Sequence, residues 1–249
     1  AAEEAAVRRF GTGPGAVRFI SGTFAPHADL EMRLAAFHGR EAAMLYSSAY
    51  ATVMGVLSSL IDAETAVVSD ALNHNCIINA IRLSRPAEKK VYPHLDMAAL
   101  ENGLEELKGR VRRVMIVTDG VFSMDGDHAP MDRVCALAER YDPSFPEGVI
   151  TVMDDSHGIG AFGATGRGTE EVTGSTGRVD MLIATLGKAL GVNGGYVVSS
   201  ASVVRFLRET APFYIYSNPI GPAEAAAATA ALDILDSPEG IGRLEHLRA

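Results

Sequence analysis

Val149-Ile-Thr-Val-Met-Asp-Asp-Ser-His157 opens as an apolar run and ends in two acids, a hydroxyl and an imidazole. An apolar run without polar alternation reads as a strand buried on both faces, the usual look of a parallel sheet. The same grammar recurs on either side. Thr65–Ser69 is followed by Asp70 and His74, Arg113–Thr118 by Asp119 and Ser123, and Met181–Ala184 by Thr185 and Lys188. Ala42–Tyr46 is a further short strand. Between these runs apolar residues fall at helical spacing: His27–His38, stopping at Gly39; Tyr50–Ile61; His74–Ser84, closed by Pro86; Met97–Lys108; and Met131–Tyr141. Strand and helix in turn predict an α/β fold of three layers, α/β/α, around a mostly parallel sheet. In such sheets ligands bind at the carboxyl ends of the strands. Gly158–Gly177 reads as a long loop, of a kind kept for a functional reason.

The 249 residues carry 22 Lys+Arg against 31 Asp+Glu, a net charge of −9, and 47% are apolar. That supplies the core of one large domain, 1–249, and excludes a disordered tail. The acidic balance argues against a general grip on nucleic acid through phosphate contacts. The longest apolar stretch, Ala225–Leu235, is interrupted by Asp233 and falls short of the roughly 18 residues a membrane helix needs, so no membrane span is expected. Cys76 and Cys135 give neither a disulfide framework nor a metal-ligand spacing; no metal site is assigned, and a reducing cytoplasm is the expected setting. The chain starts at Ala1 rather than Met, and Leu244–Ala249 stops inside a helical pattern, so a piece of a longer protein is expected.

Acids, a hydroxyl, imidazoles and one lysine thus gather at one rim of the sheet. Asp70 and Asp119 read equally well as helix caps. His27, His38, His94, His128 and His246 read as packed or solvated side chains. Lys188 has a sharper use: desolvation lowers a lysine's pKa, and the neutral amine can form a Schiff base. A carboxylate on a neighbouring strand could hold the proton of a pyridine nitrogen. Asp154 fits that place, and His157 could reach the ring's phenolic oxygen. These are the requirements of pyridoxal phosphate (PLP) as an electron sink. Its phosphate needs backbone amides at a helix start, which Ser47-Ser48-Ala49-Tyr50 supplies. Other readings fit less well. Gly158-x-Gly160-x-x-Gly163 matches a dinucleotide fingerprint by letter, but Asp154–His157 separates it from its strand. Gly187-Lys188 lacks the rest of a P-loop. Asp154, Asp155, His157 and His128 have no spacing that fixes four metal ligands.

Read in order, Val17–Thr23, His27 with Leu30-Glu31, Ser69–His74, Thr118–Gly126, Asp154–His157, Gly166-Arg-Gly168, Thr185–Gly191 and Tyr216-Ser-Asn218 resemble the α-oxoamine synthases, within the fold-type I PLP enzymes. The likeness spans nearly the whole chain. It implies the PLP-binding large domain of that fold, with the N-terminal arm and C-terminal small domain lying outside this sequence. It also implies an acyltransferase that condenses glycine or a related small amino acid with an acyl-CoA, first of the glycine C-acetyltransferase type. The alternatives are 8-amino-7-oxononanoate, 5-aminolevulinate and sphingoid-base synthases and, in another class, an inactive scaffold.

The resemblance implies roles as well. Lys188 carries the cofactor, Asp154 pairs with its ring nitrogen, His157 contacts the ring oxygen and His74 stacks on the ring. Ser123 lies beside it, Ala49 and Tyr50 offer amides to the phosphate, and Thr185 adds a hydroxyl. Ser217 and Asn218 reach the phosphate of a neighbouring subunit, which makes a homodimer the expected unit. Two positions depart from the family: Ala49 stands where Gly or Cys is frequent, and Asn75-Cys76 where Ala-Ser usually follows the stacking histidine.

Overall fold

A computed structural model describes all residues, 1–249, with no helix long and apolar enough to cross a membrane. Its centre is one seven-stranded sheet, β1 (Ala42–Tyr46), β2 (Thr65–Asp70), β3 (Glu88–Tyr92), β4 (Arg113–Asp119), β5 (Val149–Asp154), β6 (Met181–Thr185) and β7 (Gly195–Ser199), in the order β1-β7-β6-β5-β4-β2-β3. β7 runs antiparallel to both its neighbours, while every pairing from β6 across to β3 is parallel.

The absence of alternation in the strand sequences has the expected cause. Val114 and Ile116 pack into one apolar core and Met115 and Val117 into the other, so both faces of β4 are covered. Helices Ala25–Phe37, Met97–Leu107, Met131–Tyr141 and Pro222–Leu235 close the first face through Leu30, Leu100, Val134 and Ala228. Helices Ala49–Leu60, Asn75–Ser84 and Ala201–Thr210 close the second through Val53, Ile77 and Val204. This is the three-layer arrangement the sequence predicts. Each buried Val, Leu or Ile among them contributes about 1.5–3 kcal/mol by leaving water.

Two strands escape the sequence reading. β3, Glu-Lys-Lys-Val-Tyr, lies at the sheet edge with Lys89 and Val91 exposed, so its charged composition hides it. Charge on an edge strand discourages further pairing. β7 follows the glycine-rich turn Gly191–Gly194 and is buried throughout. The stretch 158–177 is not wholly irregular either: Thr169–Val172 forms a helical turn and Ile159 bridges Arg167. The helical pattern at the end of the chain belongs to helix Pro238–Arg248.

Candidate active site

The carboxyl ends of the strands open into one cleft of about 440 Å3, measured out to its open mouth. Ala49, Tyr50, His74, Ser123, Asp154, His157, Thr185 and Lys188 all line it. Ser217 and Asn218 do not; they follow helix Pro212–Ile215, with Asn218 exposed. Cys76, Asp119 and Ser156 also line the cleft; the sequence set Asp119 at this rim without a task and gave Cys76 and Ser156 no role in it.

The helix start is built by Ser48, whose hydroxyl accepts from the Ala51 amide at 3.0 Å, and its first residues, Ala49 and Tyr50, line the cleft. Their position depends on β7. A Cβ at Gly195 would sit 2.3 Å from the Ala49 nitrogen and 2.5 Å from the Ser48 carbonyl carbon, so only glycine lets the helix start approach. Thr185 shapes the turn that carries Lys188. Its hydroxyl accepts the Gly187 amide at 3.0 Å and donates to the Gly194 carbonyl at 3.3 Å.

His74 is positioned from below. The Asn73 side chain donates to the Val117 carbonyl at 2.8 Å and to Ser69 Oγ at 2.9 Å, while its Oδ1 accepts the Asp119 amide at 2.8 Å. Asp119 Oδ2 then accepts the His74 amide at 2.8 Å. Asp119 is therefore no cap of its own following segment; it ties β4 to the turn before helix Asn75–Ser84. The Cys76 amide donates to His74 Nδ1 at 3.2 Å, which leaves the proton of a neutral ring on Nε2.

Asp119 and Asp154 are register partners on adjacent strands, so two carboxylates stand side by side. Burial raises the pKa of Asp154 above the carboxylate range, against the opposing pull of the Ser156 amide, which donates to Asp154 Oδ1 at 3.1 Å, and of Lys188 and His74. Burial and the neighbouring Asp154 push Asp119 up to about 8. Burial lowers the Lys188 amine, with Asp154 and Asp119 pulling the other way. It also lowers His157, helped by the charge on Lys188. The adjacent Asp155 faces away from this chemistry: it accepts the Thr169 amide at 2.7 Å and the Thr169 hydroxyl at 2.6 Å. A Cβ at Gly158 or Gly168 would strike its carboxylate, at 2.2 and 2.0 Å, so these glycines wrap an anchoring acid rather than a dinucleotide.

Three features of this cleft ask for a flat, anionic, protonated heterocycle. A buried carboxylate with a raised pKa gains a cationic partner when a ring N–H comes against it. The Ser156 hydroxyl is buried in the lining without a hydrogen-bond partner. The cradle over Gly195 exposes helix-start amides where an anion is stabilised. The residues fit pyridoxal phosphate, with Lys188 and Asp154 on one cleft as the chemistry requires.

A sequence model of the family described as aminotransferase class I and II matches residues 3–248. The chain is 48% identical over 235 residues to an 8-amino-7-oxononanoate synthase of Geobacter sulfurreducens, covering 94% of this chain and 58% of that protein. It is 46% identical over 231 residues to a mitochondrial 2-amino-3-ketobutyrate coenzyme A ligase of Bos taurus, covering 92% and 53%. Among solved structures it superposes on a serine palmitoyltransferase from S. paucimobilis with bound PLP and myriocin, at a TM-score of 0.87 and 30% identity, over 95% of this chain and 59% of that one. The chain thus spans 53–59% of the length of these relatives.

Proposed function

The chain belongs to the aminotransferase class I and II family, on its α-oxoamine synthase branch, and from that premise we propose that it is the cofactor-binding domain of a PLP-dependent acyltransferase joining a small amino acid to an acyl-CoA. The observation that carries this reading is the shared cleft, lined together by Lys188, Asp154, His74 and the Ala49 helix start. PLP, when bound, supplies an electron sink that stabilises negative charge at the amino acid's α-carbon.

The residues divide the remaining work. Lys188 would hold the cofactor and, as a neutral amine favoured by its burial, take the proton from the α-carbon. Asp154 would hold the proton on the ring nitrogen. His74 would cover the ring and present its Nε2–H to the substrate carboxylate or the incoming carbonyl. His157 would meet the ring oxygen, Ser123 would flank the ring, and Ala49, Tyr50 and Thr185 would bind the phosphate. Ser217 and Asn218 would serve a second copy's phosphate. Their place outside their own chain's cleft supports this, as do the nearby exposed Tyr216 and the exposed Phe19 and Ile20 elsewhere on the surface.

The resemblance points first to the glycine C-acetyltransferase type, joining glycine or a related small amino acid to an acyl-CoA. The 8-amino-7-oxononanoate synthase reading has support of equal weight, since 48% and 46% identity do not separate the two relatives. The test begins with PLP. Its addition should produce the visible absorbance of a lysine-linked cofactor, and Lys188→Ala should abolish it. Release of free CoA thiol is then followed with glycine, alanine and serine against a panel of acyl-CoAs, and the preferred pair selects between the readings. PLP binding without thiol release from any pair would refute the acyltransferase.

A further inference from the structure

His94, which the sequence presents as packed or solvated, holds a different position. It stands between β3 and helix Met97–Leu107, and both its ring nitrogens meet carboxylates. Nδ1 lies 3.0 Å from Asp70 Oδ1, and Nε2 lies 3.0 Å from Asp127 Oδ2. An ionised carboxylate only accepts, so both nitrogens must donate, and a ring that donates twice carries a positive charge. Asp70 ends β2 and is fully engaged: it also accepts the Leu72 amide at 2.8 Å and the Leu95 amide at 3.0 Å. Leu95 has φ +56°, a conformation that costs a branched residue energy and persists only where its surroundings enforce it.

The other carboxylate belongs to the turn that carries Ser123. The Phe122 amide donates to the Asp127 carbonyl at 2.9 Å, the Gly126 amide donates to the Phe122 carbonyl at 2.8 Å, and Val121 bridges His128. The Phe122 ring meets the His94 ring edge-on, with centroids 4.4 Å apart. Holding Asp127 therefore holds Phe122, and with it the next residue, Ser123, which lines the cleft. We propose that His94 is a positioning residue: as a double donor between Asp70 and Asp127 it clamps the Phe122–Asp127 turn and so places Ser123 against the bound cofactor. The cofactor part of this proposal rests on the function proposed above; the clamp itself does not.

Burial works against a charged His94, but the hydrogen bonds and charges of Asp70 and Asp127 outweigh it and raise its pKa above the ordinary imidazole value. The other titratable groups around this cluster are Tyr92, whose phenol feels Asp70 from the same segment, and Asp119 on β4, which feels it from the neighbouring strand. A histidine with a raised folded pKa contributes its full stabilisation below the unfolded value and loses it as pH climbs through the folded one. The clamp is closed below this raised pKa and opens as pH climbs through it.

The experiment is an imidazole nitrogen NMR titration of the chain, with His94 assigned by its disappearance in His94→Gln, together with hydrogen exchange at residues 121–128 and PLP titration. Both His94 nitrogens should stay protonated beyond the pH at which ordinary histidines lose one. In His94→Gln, exchange over 121–128 should rise and PLP should bind about tenfold more weakly, while the visible absorbance of the lysine-linked cofactor persists. Asp127→Asn, which keeps an acceptor but removes the charge, should bring the His94 titration back down. A His94 that loses a ring proton no later than ordinary histidines, or unchanged exchange over 121–128 in His94→Gln, overturns the clamp. A chain that binds no PLP would instead refute the proposed function, and titration and exchange would still decide the clamp.

Discussion

Substituting Gly195 by alanine tests how closely the helix start and the sheet are fitted. The added Cβ would lie 2.3 Å from the Ala49 nitrogen, 2.5 Å from its Cα and 2.5 Å from the Ser48 carbonyl carbon. All three are backbone atoms, so no side chain can swing aside. Reaching an ordinary 3.4 Å contact requires a movement of 3.4 − 2.3 = 1.1 Å between β7 and the helix start. A hydrogen bond stretched by that much is lost, and one to an anion is worth about 1.5–3 kcal/mol. The expected result is a PLP dissociation constant raised about ten- to a hundredfold. Overpacking adds about 1–3 kcal/mol of destabilisation, a fall in Tm of about 2–10 °C for a chain of this size. The assay pairs PLP titration by visible absorbance with thermal unfolding of the cofactor-free chain. Gly103→Ala is the control, because a Cβ there meets only the Lys90 and Val68 side chains, at 3.6 and 3.7 Å, inside helix Met97–Leu107. Alanine should leave PLP binding unchanged there and gain up to about 1 kcal/mol in helix propensity. If Gly195→Ala binds PLP like the unmodified chain and melts at the same temperature, the close fit of strand and helix is wrong.

Asp154→Asn should leave PLP bound through Lys188 but reduce acyl transfer about a thousandfold, measured as thiol release, because the amide cannot hold the ring proton. Asp119→Asn should raise the Tm of the cofactor-free chain, and the gain should grow with pH. An acid whose folded pKa lies near 8 rather than in the carboxylate range makes folding progressively less favourable between those two values, so removing it helps most above pH 8 and hardly at all in acid. A gain that shrinks as pH rises would contradict the burial assigned to Asp119.

Much of the site was legible because strand ends announce themselves: an apolar run gives way to Asp154, or to Thr185 and Lys188, at the rim where ligands bind. Other residues gave weaker signals. Asp119 resembles any capping acid, and its task is visible only once its register with Asp154 and its bond to the His74 amide are known. Cys76 and Ser156 enter the cleft through short-range geometry, each two residues beyond a recognised site residue. The missing strands have opposite causes. β3 is too charged to look like a strand, and β7 begins at a glycine straight after a glycine-rich turn, from which it does not stand apart. His94 shows the limit most plainly, since its two carboxylate partners come from distant parts of the chain.

The reversed direction of β7 has a consequence for assembly. Gly195 faces Thr185 on one side and Tyr46 on the other, and it is followed by a fully buried tyrosine. A slip of one residue would drive that phenol ring into the space taken by the first turn of helix Ala49–Leu60 and send the strand's side chains into the wrong apolar core. The misthreaded sheet is therefore rejected by the same helix start that is proposed to bind the phosphate, and the last strand works as a key that turns only when that helix start is already in place.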